Sequence, residues 1–551
     1  MSGPRFTRAA HPENRYVMPL ICAVVIGSFV SAYVLYYSLH YGVLVGLLQW
    51  DDCAIILRGI ANLDLIARAT TFGGMALNLL HLDIHAPLSD IQVMAGLLFS
   101  GGTDLGPFVL SPLWLILCLA AIYYTLDRRS AAVAIAITVF ICTQPLTINA
   151  LTIMKSDWRG GLLLSVAIVL LESAYRKGDT RLKYFGATFV SLAILSKITE
   201  FYLPFDAVIL IVIFELYGIA CSGQNGIGRK MDAVLTAATS RHFWLTLAIA
   251  IVPFILFFLW KIRGITQYIE LATSGVWLDN MSLFQRVIFY SPGNSNSQFV
   301  WGNLYITFAL FSAVAFVIAI VNRKYYYIAA LIASAAIFFA FLAPLLLAKV
   351  SALSFSASAL GVVMGVTILS MKFLDAASPR WGGYIVLFCV LLITAFTKIP
   401  LENSDYFSEF SISDDSLRSL SQTYARLVSV MTKDAAYKDP EIVVCFDQIF
   451  APFPNIAIKY FLITGRIPNV GRIDDLSAPS EREMSSADYV LTIVPTTNGN
   501  GGSALNLFPK YPISRNPKAA DDLMKASPSF AQDGSFQVPG GEIHLYKSAR
   551  D

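Results

Sequence analysis

Charged residues are scarce in this chain of 551 amino acids. Asp, Glu, Lys and Arg make up 14% of the sequence, and hydrophobic residues make up 56%. Soluble domains carry roughly 25% charged residues, so the composition excludes an ordinary soluble protein and predicts a chain that crosses a membrane several times. The net charge of +3 is too small to indicate nucleic-acid binding.

Cysteines and the common catalytic motifs are also sparse. The seven cysteines are scattered, with no CxxC pair and no His/Cys zinc spacing. Only Cys53 and Cys445 are expected on the outer side of the membrane, which leaves a disulfide between them as one alternative. We find no nucleophile elbow, P-loop or dinucleotide fingerprint. We also find no internal repeat and no transmembrane GxxxG pattern that carries an argument.

Most of the sequence consists of long apolar segments. A bilayer is spanned by about 20 residues, and the first apolar run is too long for a signal-peptide core and lacks a convincing cleavage site. We therefore predict a retained first helix with a cytoplasmic N-terminus. About eleven spans are predicted, at roughly 17–39, 106–126, 130–150, 159–174, 184–202, 205–222, 242–260, 300–321, 325–347, 351–374 and 382–398.

The distribution of Lys and Arg predicts the orientation of these spans. With the N-terminus inside, every predicted inner loop is basic, whereas the short outer connections carry at most one Lys each. The apolar piece 88–99 is about a dozen residues long, which suits an interfacial or re-entrant helix. Counting this piece as a span would move all later basic loops outside, so the charge pattern rejects that alternative.

Two domains follow from this topology. Residues 1–400 are predicted to form a membrane domain in the plasma (inner) membrane, with a first outer loop at about 40–105 and a long outer loop at about 261–299. Residues 401–551 are more polar and are predicted to form a periplasmic α/β domain. Its expected elements are strands at 441–446 and 487–494, a helix at 455–464, and a terminal hairpin at 536–547.

Ionisable residues gather on the predicted outer side. Such residues within or beside spans are costly and tend to mark functional sites. Each also has a plain alternative: an interfacial carboxylate, a surface histidine, a local ion pair, or a lysine that reaches from a helix end into water. The candidates are Asp51, Asp52, Arg58, His85, Lys155, Asp157, Arg159, Lys197 and Arg263.

The order of these residues resembles the GT-C superfamily of integral-membrane glycosyltransferases. The resemblance is greatest to glycosyltransferase family 39, which includes protein O-mannosyltransferases and bacterial lipid A aminoarabinose transferases. The last strand, at 541–547, resembles the end of that family's outer domain. Four motifs carry the resemblance: Asp51-Asp52 after the first span, His85-Ala86-Pro87-Leu88 before the interfacial helix, Asp157 at the head of a span, and Leu195-Ser196-Lys197-Ile198 at the end of another.

The resemblance implies transfer of a sugar from a polyprenyl-phosphate donor to a glycolipid, glycan or protein outside the cytoplasm. The reaction would be an inverting direct displacement with Asp51 as the base and Asp52 as the alternate. Asp157 would hold the sugar or orient substrate, as would His85. Some members bind a divalent metal, and here His85 and Asp157 would be the ligands. Cations would neutralise the leaving lipid phosphate, namely Arg58, Lys155, Arg159, Lys197 and Arg263.

Two other functions stay open. A transporter or flippase of lipid-linked sugars would also need a polytopic membrane domain, but it would place charges near the bilayer midplane and repeat its halves. The predicted spans are nearly free of charge and show no matching halves. An envelope glycan ligase or assembly protein would also use the large C-terminal domain.

Overall fold

The chain is mainly helical, with a small mixed sheet near its C-terminus. The computed structural model describes residues 14–41, 44, 50–71, 73–74, 87–100, 105–126, 131–154, 156–196, 211–216, 239–273, 282, 284–285, 301–321, 328, 331–332, 357–378, 380–397, 414–433, 440–445, 454–466, 468–472, 486–495, 517–538 and 541–549. Contacts divide the chain into two compact units. The first contains Met1–Val34, Ile84–Leu88 and Ser111–Pro400, and the second contains Leu35–Asp83, Ser89–Leu110 and Leu401–Asp551.

The helices and strands are numbered here in chain order. The helices are α1 (Asn14–Tyr41), α2 (Trp50–Ala67), α3 (Pro87–Ser100), α4 (Ser111–Thr125), α5 (Ala131–Cys142), α6 (Pro145–Thr152), α7 (Ser156–Lys177), α8 (Thr180–Ser196), α9 (Arg241–Thr273), α10 (Leu304–Val321), α11 (Ala357–Ala377), α12 (Gly382–Phe396), α13 (Asp414–Lys433), α14 (Pro454–Thr464) and α15 (Pro517–Ala526). The strands are β1 (Glu441–Val444), β2 (Asn469–Arg472), β3 (Tyr489–Pro495), β4 (Phe530–Val538) and β5 (Gly541–Ser548).

Several helices are long and apolar enough to cross a membrane, as the composition predicts. Within the described residues there are 6, and 7 if α5 and α6, which are bent by 57° at a short break, form one span. The predicted count of about eleven also includes segments that lie largely outside the described residues, such as 325–347, and stays a prediction. The six are Val17–Tyr41, Gly106–Thr125, Asp157–Lys177, Arg241–Gln267, Leu304–Val321 and Leu360–Ala377.

Helix α7 is the most buried of the six candidate spans among the described residues. Its apolar window is 100% buried, whereas that of α9 is 11% buried. It packs against α4, α6, α8 and α11. A methyl group at Gly361 of α11 would lie 2.2 Å from the Gly161 carbonyl oxygen of α7, so the two backbones touch. Gly361 and Gly365 form a GxxxG pattern, which lets membrane helices approach closely, and the expectation that no such pattern matters was wrong.

Helix α9 is kinked where the sequence predicts the span to end. The predicted end is residue 260; Lys261 has a non-helical φ of −98° and ψ of 15°, and a second helical stretch continues from the kink to Thr273. The first part of the predicted outer loop at 261–299 is therefore helical. Apolar periodicity could not reveal this extension, because the added turns carry polar residues.

The sheet of the second unit has the order β2-β1-β3-β5-β4. Strands β2, β1 and β3 are parallel, and β5 is antiparallel to both β3 and β4. Helices α13 and α14 cover one face and α15 packs on the other. The buried residues of α13 recur at helical spacing, which gives that helix one apolar side: Leu420, Tyr424, Leu427, Val428 and Met431.

The second unit also includes helices from the predicted first outer loop. Helix α2 contacts α14, and the guanidinium of Arg418 in α13 donates a hydrogen bond to the carbonyl of His40. The sequence placed α2 with the membrane domain, whereas its contacts group it with residues 401–551. Cys53 and Cys445 are both buried and are not joined by a disulfide in the structure.

Candidate functional site

The first turn of α7 carries two of the predicted site residues. Asp157 and Arg159 are each 2% exposed. A carboxylate is stabilised in the first turn of a helix by the backbone dipole and the free N–H groups there, which explains why Asp157 is tolerated at this position. A buried charge is costly unless it is compensated, so two of them at one end of a candidate span form the strongest functional signal in the first unit.

Arg159 connects the first turn of α7 to the preceding residues Ile153 and Met154. One terminal nitrogen of its guanidinium donates a hydrogen bond to the Ile153 carbonyl oxygen at 3.0 Å and lies 3.5 Å from the Met154 sulfur. The Ile153 carbonyl comes directly after α6, so Arg159 fixes how α6 enters α7. The predicted contact of Arg159 with a lipid phosphate stays a prediction, and the structure adds a positioning role.

The break between α5 and α6 holds a polar cluster that sequence reasoning missed. Gln144 lies at the break, and its side-chain nitrogen donates hydrogen bonds to the Phe140 carbonyl oxygen, at 2.8 Å, and to Asn303 Oδ1. We call Gln144, Thr147 and Asn303 the break cluster; all three are buried. A signal was available, because a Thr-Gln-Pro sequence inside an apolar run predicts an interrupted helix, but the partner Asn303 is remote in sequence.

A second buried cluster joins three helices at the other end of α7. The Lys372 ammonium donates hydrogen bonds to Ser173 Oγ at 2.8 Å and to Thr125 Oγ1 at 3.2 Å, and it lies 3.7 Å from Glu172 Oε2. We call these four residues the clamp cluster. It brings together the C-terminal ends of α4, α7 and α11, which the charge pattern had assigned to one side of the membrane.

The predicted residues of the second unit lie on α2. Asp52 is completely buried in the first turn of α2, and Asp51 belongs to the same turn, with a side chain outside the described residues. Arg58 Nε lies 3.8 Å from Asp90 Oδ1 of α3. Asp90 is fully buried in the first turn of its helix, so part of the Arg58 charge is balanced within the protein. Asp90 was not among the predicted site residues.

The remaining predicted residues are placed as follows. Arg263 lies on α9 and is exposed. His85, Lys155 and Lys197 lie outside the described residues. In the part of the chain that the structure describes, no three His, Cys, Asp or Glu residues are grouped so that they could hold a metal. The predicted pair of metal ligands, His85 and Asp157, therefore stays a prediction, and no step below uses a metal.

A third buried polar network lies on the sheet, and the sequence did not predict it. Asp521 of α15 accepts hydrogen bonds of 2.7 Å from Thr492, His544 and Tyr546, and its second oxygen lies 2.8 Å from the Lys525 ammonium. Burial raises the pKa of Asp521, but these hydrogen bonds together outweigh burial and lower it from 3.8 to about 2. Every oxygen of this carboxylate has a protein partner, which marks the network as structural.

Comparisons with known proteins give no assignment. No family model matches this sequence, and no curated protein matches it at a significant level. Function is therefore inferred from the residues and geometry of this chain. The strongest functional signals are the buried Asp157 and Arg159 of the first unit, the break cluster beside α6, and the buried Asp52 of the second unit.

Proposed function

We propose that the protein is a GT-C-like membrane glycosyltransferase that uses a polyprenyl-phosphate sugar as donor. The observation that carries the proposal is the burial of Asp157 and Arg159, each 2% exposed, at one end of the most enclosed candidate span. Ionisable residues inside a membrane protein are retained chiefly where they bind a substrate or move a proton. The order of the acidic and basic motifs along the chain supports the same class.

The proposed reaction is a single displacement at the anomeric carbon. The acceptor hydroxyl oxygen forms the new glycosidic bond while its proton passes to a carboxylate, and the bond between the anomeric carbon and the lipid-phosphate oxygen breaks. The released polyprenyl phosphate keeps the bonding electrons, so nearby cations favour its departure. One base suffices, and the configuration at the anomeric carbon is inverted.

Asp51 is the proposed base. A base must come within about 2.6–3.2 Å of the hydroxyl that it deprotonates, and Asp52, the neighbouring carboxylate on α2, is the alternate. Asp157 is proposed to hold the sugar, and His85 to orient substrate.

The residues proposed to bind the lipid phosphate of the donor are Lys155, Arg159, Lys197 and Arg263. Arg58 is the weakest candidate. Arg58 is near Asp90, at 3.8 Å, so its charge is partly used within the second unit. Arg159 donates hydrogen bonds to the Ile153 carbonyl oxygen and the Met154 sulfur, and its phosphate-binding role is proposed from its charge and its place in the first turn of α7. Lysines and arginines differ here, because only the planar guanidinium can bind a phosphate through two parallel hydrogen bonds.

The proposed orientation puts Asp51, Asp157 and the C-terminal sheet on the periplasmic side of the inner membrane. The clamp cluster would then face the cytoplasm, together with Arg176 and Lys177 at the C-terminal end of α7. This arrangement agrees with the excess of Lys and Arg expected in cytoplasmic loops. The N-terminus would be cytoplasmic, and the donor would enter from the surrounding lipid.

The test uses the full chain, purified and reconstituted in lipid nanodiscs, with decaprenyl-phosphate hexoses as donors and an envelope lipid extract as acceptor. The wild type is expected to transfer hexose, and Asp51→Asn is expected to lower kcat by roughly 10²–10⁴-fold, because it removes the base. The matched control is Asp64→Asn, since Asp64 lies on the same helix and forms an i,i+4 ion pair with Arg68, whose side chain is 73% exposed.

A transporter would give a different result. Protein in liposomes would then move the decaprenyl-phosphate hexose between leaflets without forming a new glycosidic bond. Equal transfer rates for Asp51→Asn and wild type would remove Asp51 as the base. Activity restricted to a polymer-diphosphate donor would replace the proposal by a glycan ligase.

A further inference from the structure

The break cluster contains buried polar atoms that have no hydrogen-bond partner among the described residues. Gln144 and Thr147 are each 0% exposed. Among the residues that the structure describes, no atom forms a hydrogen bond with Gln144 Oε1 or Thr147 Oγ1. A buried polar atom without a partner costs roughly 1–3 kcal/mol, and a bound molecule that supplied hydrogen bonds to these two atoms would remove that cost.

The orientation of the Gln144 amide follows from its neighbours. Its side-chain nitrogen faces the Phe140 carbonyl oxygen at 2.8 Å, and a carbonyl oxygen can only accept. The nitrogen also donates to Asn303 Oδ1. The Gln144 oxygen is therefore the free end of the amide, and it can accept a hydrogen bond from a hydroxyl group.

Thr147 lacks the internal partner that buried threonines of these helices have. A buried threonine in a membrane helix commonly donates to the carbonyl one turn earlier, as Thr152 does to Ile148 at 3.0 Å and Thr367 does to Val363 at 2.7 Å. Thr147 lies in the first turn of α6, beside the break, and its hydroxyl forms no such bond among the described residues. Its hydroxyl is left to donate to, or accept from, a bound molecule.

The helix break itself points to a ligand. Non-helical backbone at membrane depth is tolerated where it is enclosed by protein or lines a cavity, and broken helices recur at the substrate sites of membrane proteins. All eight residues of α6 are buried, and Pro145 packs against Gly302, which has φ +49°. The break is thus a packed feature of the first unit, held on one side by Asn303 and followed at the other end of α6 by the Arg159 contact with Ile153.

We propose that the break cluster binds the hydroxyl groups of the donor sugar, with Gln144 Oε1 as an acceptor and Thr147 Oγ1 as a donor or acceptor. This inference rests on the proposed function and assigns the sugar-binding part of the same site. The chemistry suits a neutral hexose, because the cluster offers amide and hydroxyl groups and no charge. Arg159, at the far end of α6, would then lie on the phosphate side of the donor.

The test measures binding rather than turnover. Wild-type protein in nanodiscs is titrated with decaprenyl-phosphate mannose, decaprenyl-phosphate glucose and sugar-free decaprenyl phosphate. Thr147→Val removes the hydroxyl and keeps the shape, and it is expected to weaken binding of a sugar-bearing lipid roughly tenfold without changing the affinity for decaprenyl phosphate. Thr147→Ser restores a hydroxyl and is expected to restore the affinity.

The control is Thr152→Val, which removes a buried hydroxyl from the same helix that is already bonded to Ile148. It is expected to leave the affinity for every probe unchanged. An unchanged affinity in Thr147→Val, with sugar-bearing lipid still bound more tightly than decaprenyl phosphate, would overturn this inference and leave the proposed function standing; buried water would then satisfy the cluster. Absence of binding of all three lipids to the wild type would overturn the proposed function itself.

Discussion

The clamp cluster and the break cluster are both buried and polar, and both belong to the first unit, but they differ in how their atoms are satisfied. In the clamp cluster, Lys372 reaches Ser173, Thr125 and Glu172 within 2.8–3.7 Å. In the break cluster, Gln144 and Thr147 each keep one polar atom without a hydrogen bond among the described residues. The first arrangement holds three helices together, and the second leaves hydrogen-bonding capacity for another molecule.

The difference shows how buried polar groups can be sorted in a chain without matched relatives. A saturated network contributes to a unique fold, and its loss leaves unpaired groups in an apolar surrounding. An unsaturated group lowers stability in the empty protein and recovers that free energy when a ligand binds. Saturation therefore separates structural from functional groups better than burial alone does.

Disrupting the clamp cluster is expected to lower the stability of the protein more than any other change considered. Lys372→Met leaves the Glu172 carboxylate buried with a weaker set of partners, and removing one member of a buried ion pair costs roughly 3–5 kcal/mol. The unfolding temperature of the variant in detergent is expected to fall strongly, while the affinity of the folded fraction for decaprenyl-phosphate hexose stays the same.

The control for this change is Arg176→Met. Arg176 also bonds Glu172, at 3.0 Å, but its side chain is 37% exposed, and such a pair contributes roughly 0.2–1 kcal/mol. If both variants unfold at the wild-type temperature, the clamp cluster does not hold the three helices together.

The Asp521 network offers a saturated cluster with a pH signature. The pKa of the Asp521 carboxyl is lowered from 3.8 to about 2. The network therefore stabilises the fold above pH 3.8 and loses that contribution as the pH falls towards 2. The contribution is on the order of 2 kcal/mol. Unfolding of wild type followed between pH 5 and pH 2 is expected to show this loss, and Asp521→Asn is expected to show a flatter profile.

Asp522 provides the comparison, because it is the adjacent carboxylate and is exposed. Asp522→Asn is expected to retain the wild-type pH dependence. A profile for Asp521→Asn that falls as steeply as that of the wild type would show that other carboxylates control acid stability.

The smallest effect concerns the two threonines of α6. Thr147→Val is expected to leave stability unchanged or to raise it slightly, since it removes an unsatisfied buried hydroxyl. Thr152→Val is expected to cost about 1 kcal/mol, because it removes the bond to the Ile148 carbonyl. The unfolding temperatures of the two ligand-free variants measure both changes in stability. A larger loss of stability for Thr147→Val than for Thr152→Val would mean that the Thr147 hydroxyl has a structural partner.

Much of the local structure could be predicted from the sequence. Apolar runs predict helices directly, and the strand-like segments at 441–446 and 487–494 coincide with β1 and β3. The hairpin at 536–547 is also present, with Val538 opposite Gly541. These features depend on residues close together in sequence, where periodicity and turn chemistry are sufficient.

Contacts between remote residues could not be predicted in the same way. Gln144 meets Asn303 across 159 positions, and Lys372 meets Thr125 across 247. No pattern in one sequence pairs them, because periodicity relates only residues that are close together in the chain. Asp157 was found from the sequence because an acidic residue at the head of a span stands out by itself, whereas the close approach of Gly361 to Gly161 depends on which two helices cross.

The stereochemistry of the product tests most directly whether the protein transfers sugar by a single displacement at the anomeric carbon. Purified protein would be given a decaprenyl-phosphate hexose labelled with ¹³C at the anomeric carbon and of known configuration, and the product would be followed by NMR. Direct displacement is expected to give a new glycosidic bond with the opposite anomeric configuration and to release one decaprenyl phosphate per bond formed. An unchanged donor, or a product that retains the donor's configuration, would contradict direct displacement by this protein.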